Sequence, residues 1–221
     1  MAIIGKQLER AITDNLRDIV TKHNYYLWKD AKIHFVYDKT MNGFCLLAAE
    51  GKADDLFIPN TINGILVKDI YGEEFYEGCN SFNRIIVSDD NKQFKIIDDV
   101  LFSYDEEKLI LYPPKKQERL YIVPKTVVTV CPRAFSSNYY IENIEFQEGV
   151  KTIEMYALCW CKRLEIIKLP HSIREIGSKV FMGLDNLTRV IYNGRQEDWN
   201  SVNVSDDNNT DITPLLQYLQ P

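Results

Sequence analysis

VVTVCPRAFSSNYYIENIEFQEG (127–149), VKTIEMYALCWCKRLEIIKLPHS (150–172) and IREIGSKVFMGLDNLTRVIYNGR (173–195) follow one another without a gap. Written as rows they begin at Val127, Val150 and Ile173, so the starts are evenly spaced. The columns agree in chemistry. Val127, Val150 and Ile173 stand in the first apolar column, and Val130, Ile153 and Ile176 in the next. A small or branched residue then precedes a bulky one in Ala134-Phe135, Ala157-Leu158 and Val180-Phe181. Ile141, Leu164 and Leu187 follow, then Ile144, Ile167 and Val190, then Phe146, Leu169 and Tyr192. A unit this short cannot bury its apolar face alone. Stacked copies can, because side chains in one column then pack on each other through the array.

Working outward, VKDIYGEEFYEGCNSFNRIIVSD from Val67 fits the same columns with one extra residue, through Val67, Ile70, Phe75, Phe82, Ile85 and Val87. Val67 and Val127 stand too far apart for a single unit, so another kind of segment separates them. Residues 96–103 and 108–112 read as two short strands joined by a polar turn at 104–107, with Pro113-Pro114 and the charged run to Arg119 as a loop. The end of each row has the form L-x-x-I-x-L, a strand signature of leucine-rich repeats. Strands are therefore expected over 82–87, 141–146, 164–169 and 187–192, paired in parallel along one face, with Ala134-Phe135 and its counterparts on an opposite, irregular or short-helical side.

These rows resemble the BspA-like leucine-rich repeat, whose units read roughly I-x-x-I-G-x-x-A-F-x-x-C-x-x-L-x-x-I-x-L-P. Ile176-Gly177, Ala134-Phe135, Cys161 and Leu169-Pro170 match it where they stand. DDVLFSYDEEKLILYPPKK (98–116) resembles the hairpin that interrupts such arrays, and IYNGRQEDWNSV (191–202) the segment that closes them. Leu158 departs from the pattern at the Phe position, and Asn138 and Leu184 at the Cys position. The resemblance implies a repeat solenoid, α/β with short parallel strands, and a bacterial protein that binds other proteins, commonly at the surface or after secretion. The expected organisation is an α+β N-terminal cap over 1–57, the repeat array over 58–202 with an inserted β-hairpin at about 94–119, and a polar tail over 203–221.

A solenoid has open ends that need covering. Residues 4–23 read as an amphipathic helix, with Ile4, Leu8, Ile12, Leu16 and Ile19 on one face and Lys6, Arg10, Asp14 and Lys22 on the other. It could cap the array, be offered to a partner, or lie on a membrane surface, the last disfavoured by its mixed charge. Strands over 32–37 and 44–49, turning at Met41-Asn42-Gly43, should follow. At the other end Thr213-Pro214 should open a short helix over 215–220, with Leu215, Leu216 and Leu219 capping the array or docking elsewhere.

The chain has 221 residues, 45% of them hydrophobic and 26% charged, with a net charge of −6. That is globular usage, and its acidity argues against nucleic-acid binding. No apolar run approaches a membrane span of about 20 residues. The N-terminus as written carries no secretory leader, which implies the cytoplasm; a cell-surface or secreted location would follow if a leader had been trimmed. Five cysteines, an odd number, favour reduced thiols. His23, His34 and His171 have no metal-binding spacing partner, and Cys159-x-Cys161 lacks a second pair. No phosphate-binding glycine loop and no nucleophile elbow occur. Catalytic residues, metal ligands and cofactors are accordingly none, and an enzyme is the least supported class.

Function is then expected on the outward side of the strands. One column across neighbouring strands is Arg84, Asn143, Ile166, Arg189, and the other is Ile86, Glu145, Lys168, Ile191. Glu145 and Lys168 should be cross-strand neighbours of opposite sign. Ile86, Ile166 and Ile191 should be exposed apolar residues near arginine, a usual composition for a protein-binding patch, unless the hairpin or a terminal segment covers them. The expected function is a non-catalytic protein–protein interaction module binding a macromolecular protein partner through this face. The alternative is an intracellular effector or inhibitor that blocks a host macromolecule through its N-terminal helix or the repeat face.

Overall fold

The computed structural model describes residues 3–4, 25–29, 31–51, 55–70, 82–207 and 211–219. The chain forms two compact units, Met1–Ile96 and Ile97–Pro221.

The first unit is built on the antiparallel hairpin Ala31–Asp38 and Gly43–Gly51, which turns over 39–42 and leaves Gly43 in the second strand, where the sequence placed it in the turn. Asp38 closes that turn by accepting the N–H groups of Thr40 and Met41 at 2.7 and 3.1 Å. Tyr25–Trp28 pairs with one side of the hairpin and Ile65–Ile70, in parallel, with the other. The helix expected over 4–23 lies outside the described residues, except that Ile4 is in a strand and pairs with Tyr26. Asp55–Ile58 and Arg84–Val87 form a separate two-stranded parallel sheet.

The second unit carries the repeats, and each turn of chain contributes to two parallel sheets. The longer strands are Leu120–Val123, Asn143–Phe146, Ile166–Leu169, Arg189–Tyr192 and Leu216–Tyr218, side by side in that order. The shorter strands Thr129–Val130, Thr152–Ile153, Glu175–Ile176 and Asn203–Val204 stack likewise. The strand registers step by the same period as the sequence rows, with Asn143 opposite Ile166 and Ile166 opposite Arg189. The apolar columns read from the sequence are the core: Val127, Val150, Ile173, Ala134, Phe135, Ile144, Ile167 and Val190 are all buried.

The segment joining a short strand to the next long one is a chain of turns, where a short helix was one of two expectations. Its backbone is left-handed at two positions per repeat. Arg133, Tyr156 and Lys179 occupy one, with φ of 58°, 59° and 54°; Ser137, Trp160 and Gly183 occupy the other, with φ of 61°, 62° and 71°. The turns are tied within each repeat, as by Ser136 N–H to the Arg133 carbonyl and Cys159 N–H to Tyr156, and also between repeats. Phe135 N–H donates to the Ala157 carbonyl at 2.8 Å, Tyr156 N–H to Ser178 at 2.9 Å and Trp160 N–H to Met182 at 2.8 Å.

Three details differ from the sequence-based expectation. The interrupting hairpin, Val100–Ser103 with Lys108–Leu111, is part of the array: Lys108–Leu111 runs parallel to Thr129–Val130. Leu120–Val123 is a further long strand, unforeseen because Leu120 and Ile122 are apolar where the other rows alternate with polar residues. It takes the place beside Asn143–Phe146 that was expected of Arg84–Val87, which pairs with Asp55–Ile58 instead. The C-terminal helix is a single 3-10 turn, Thr213–Leu215, followed by the strand Leu216–Tyr218. A helix as short as the expected one is marginal, since nucleation fixes several residues for one hydrogen bond. Pairing with the open edge of Arg189–Tyr192 satisfies backbone groups on both strands, and Leu215, Leu216 and Tyr218 pack against the core.

Candidate functional site: the outward face of the long sheet

Side chains alternate across a strand, so the long sheet turns one set inward and presents the other. Register fixes which outward residues are neighbours. One row is Leu120, Asn143, Ile166, Arg189. The next is Ile122, Glu145, Lys168, Ile191, Gln217. Six sequence-derived candidates, Asn143, Glu145, Ile166, Lys168, Arg189 and Ile191, thus share one face. Arg84 and Ile86 lie in the other unit, in the two-stranded sheet opposite Asp55 and Phe57. Arg84 is tied down there: its Nε is 3.3 Å from Asp55 Oδ1, and Lys29 Nζ is 2.6 Å from Oδ2. The Lys29 contact, then Arg84, holds the Asp55 carboxyl below the usual range against its burial.

Sequence reasoning missed Leu120 and Ile122, which are 53% and 46% exposed and are the most open apolar residues of the face. Their signal was present. Leu120 stands one full repeat period before Asn143, but the polar residues Tyr104, Glu107 and Glu118 break the columns ahead of it. Glu145 and Lys168 do meet across the strands, Nζ to Oε2 at 2.9 Å. On an exposed sheet such a pair contributes about 0.2–1 kcal/mol, so it fixes local charge more than stability.

Leu120, Asn143, Glu145, Ile166, Lys168, Arg189 and Ile191 surround a depression of about 300 Å³. A second hollow of about 520 Å³ opens where the strands end, against Lys125, Gln147, Glu148, Pro170, Asn193 and Leu219. Glu148 organises that end. Its Oε1 accepts His171 N–H at 2.8 Å and Asn193 Nδ2–H at 3.0 Å, and its Oε2 accepts Ser172 N–H at 3.1 Å. Partial burial works to raise its pKa, but the His171, Asn193 and Ser172 donors outweigh it and hold the carboxyl below its ordinary value.

The remaining chemistry-bearing residues have structural roles. Cys159 and Cys161 are buried in the core, and burial raises both thiols, Cys161 to about 12, so neither is a thiolate at neutral pH. Cys161 Sγ–H donates to the Phe135 carbonyl at 3.0 Å. Asn138, one repeat earlier in the same column, does this more completely. Its Nδ2 donates to the carbonyls of Pro113 and Lys116, and its Oδ1 accepts Tyr140 and Ile141 N–H. His171 lies at the rim, 3.6 Å from Asp198. No group of three or more His, Cys, Asp or Glu among the described residues is placed to hold a metal ion. No helix among them is long and apolar enough to cross a membrane.

Comparison with known proteins agrees with this architecture. Residues 116–201 match the BspA type leucine rich repeat region, in six copies. Among solved structures, a leucine-rich repeat protein from Eubacterium ventriosum ATCC 27560 is 26% identical, with a TM-score of 0.57 over 63% of this chain and 36% of its own. The pneumococcal vaccine antigen PcpA is likewise 26% identical, with a TM-score of 0.55 over 64% of this chain and 39% of its own. The chain therefore spans less than two-fifths of either relative. No curated protein matches it. Residues 116–201 are thus a region similar to the BspA type leucine-rich repeat.

Proposed function

We propose that this chain is a non-catalytic protein-interaction module whose binding surface is the outward face of the long sheet. Repeat regions of this family commonly mediate protein interactions and are often surface-associated. The observation that carries the reading is the exposed Leu120 with the half-buried Ile166 and Ile191 around a depression bordered by Arg189 and Asn143, on the same face as the exposed Ile122. Exposed apolar side chains such as Leu120 and Ile122 cost solvation free energy in the isolated protein. They gain on meeting a partner, about 25 cal/mol per Å² of apolar area removed from water. The face is also braced, since each of its strands is hydrogen-bonded on at least one side and the inward residues of Asn143–Phe146, Ile166–Leu169 and Arg189–Tyr192 are buried. Rigidity lowers the ordering cost of binding.

The test is crosslinked capture from the source cells and their medium with wild type and with Ile122→Glu/Ile166→Glu. Both substituted side chains point outward, so circular dichroism should be unchanged. The proposal expects a stoichiometric partner with wild type and its loss with the variant. Equal recovery by both proteins refutes the face as the binding surface.

A further inference from the structure

The charges on the face are unevenly matched, and this says what the partner should carry. Glu145 is neutralised by Lys168 at 2.9 Å. Glu142, at the entrance to the same strand, lies 3.0 Å from Arg163 and 3.7 Å from Arg119. Glu148 is committed to two backbone N–H groups and Asn193. Arg189, by contrast, is exposed and has no carboxylate within ion-pair distance among the described residues, and Lys125 is in the same position. Arg189 opposes Ile166 across the sheet, so its neighbour there is apolar. The two hollows together are lined by three cations, Lys125, Lys168 and Arg189, and two committed carboxylates, Glu145 and Glu148. In a chain of net charge −6 this is a local reversal of sign.

An unpaired guanidinium beside an apolar depression is a two-point recognition element. The guanidinium offers donors in a planar fork that suits a carboxylate, and Leu120, Ile166 and Ile191 offer a seat for one apolar side chain. The charge lies at the edge of apolar surface, where a docked chain would exclude water and strengthen the ion pair. We propose that the outward face takes an acidic peptide segment, with an aliphatic or aromatic side chain in the Leu120–Ile166–Ile191 depression and a neighbouring carboxylate on Arg189. This rests on the proposed function and specifies the partner's chemistry.

The experiment uses the full chain and a displayed library of random linear twelve-residue peptides, selected at low salt. The expected result is enrichment of peptides that place Asp or Glu within a few residues of a large apolar residue. A synthetic copy of an enriched peptide should bind Arg189→Gln about tenfold more weakly or worse, the usual scale for losing a charge-assisted hydrogen bond. Its affinity for wild type should fall with added salt. Selection on Arg189→Glu should enrich Lys or Arg instead. Enriched peptides without acidic residues, or bound equally by Arg189→Gln, overturn the acidic-partner inference. If such peptides are still lost on Ile122→Glu/Ile166→Glu, the face remains the binding surface and only its charge preference is wrong. If they survive that variant too, the binding surface itself is misassigned. No enrichment over a blank surface also overturns the inference.

Discussion

Replacing Asn138 by Ala should destabilise the repeat unit by about 3 kcal/mol, the scale of several lost buried hydrogen bonds. Asn138 is fully buried and all its hydrogen-bonding groups are used: donors to the Pro113 and Lys116 carbonyls at 3.1 and 3.2 Å, and acceptance of Tyr140 and Ile141 N–H, both at 2.9 Å. Alanine leaves two carbonyls and two N–H groups without this partner. Each lost bond costs about 1 kcal/mol net, and more where water cannot enter. The Lys116 carbonyl is only part-buried, so water recovers part of the loss there. With a urea slope of about 2–3 kcal/mol/M, the midpoint should fall by about 1 M, read by far-UV circular dichroism. Asn138→Asp is the informative companion. It keeps the acceptor for the two N–H groups but turns a carboxylate toward two carbonyls in a buried site. Burial and those carbonyls should raise its folded pKa. The folded state then binds the proton more tightly than the unfolded state, so Asn138→Asp should gain stability as pH falls and lose it as pH rises. A loss under about 1 kcal/mol for Asn138→Ala would refute the reasoning, because the threshold is already the cost of one ordinary hydrogen bond.

Gly183 has φ of +71°, and a Cβ there would stand 2.4 Å from Trp160 Cε3. Gly183→Ala should therefore cost about 1–2 kcal/mol by calorimetry, and less in a Trp160→Ala background, a coupling that a double-mutant cycle isolates. Glu148 has a folded pKa below its ordinary value of 4.5, so the stability it contributes is present above that value and lost as pH falls through the folded pKa. Glu148→Gln should flatten the acid limb of the stability–pH curve; an unchanged limb would count against the hydrogen bonds assigned to it. In the folded protein at neutral pH, Cys159 and Cys161 should resist a disulfide-exchange reagent and react only on unfolding, as peptide mapping would show.

The array was legible because burial is periodic. Val127, Val150 and Ile173 recur at one fixed period since each packs on the one before, and no local propensity is needed to see it. Where the period slips, legibility is lost. Leu109 opposes Val130 at a separation shorter than the repeat period, so the hairpin looked like an interruption although it continues the short sheet. Leu120–Val123 is apolar on both sides and offers no alternation to read. The segment over 215–220 has leucines at helical spacing, but an open strand edge decided its conformation, and that edge is not written in the segment itself. Of the candidate site, the six residues within regular rows came together, whereas Arg84 and Ile86 belong to a row with one extra residue and pair elsewhere. Arg189 could be named from its column. That it lacks a counter-charge among the described residues depends on several turns of chain, which only the folded register brings together.

Hydroxyl-radical footprinting of the protein with and without its captured partner tests the binding face most directly. Leu120, Ile122, Tyr139, Met155 and Trp160 are all well exposed in the isolated chain, the first two on the long sheet and the last three on the turns. The account predicts that Leu120, Ile122, Ile166 and Ile191 become protected in the complex while Tyr139, Met155 and Trp160 stay reactive. Protection of the turn residues with the strand residues left open would contradict it.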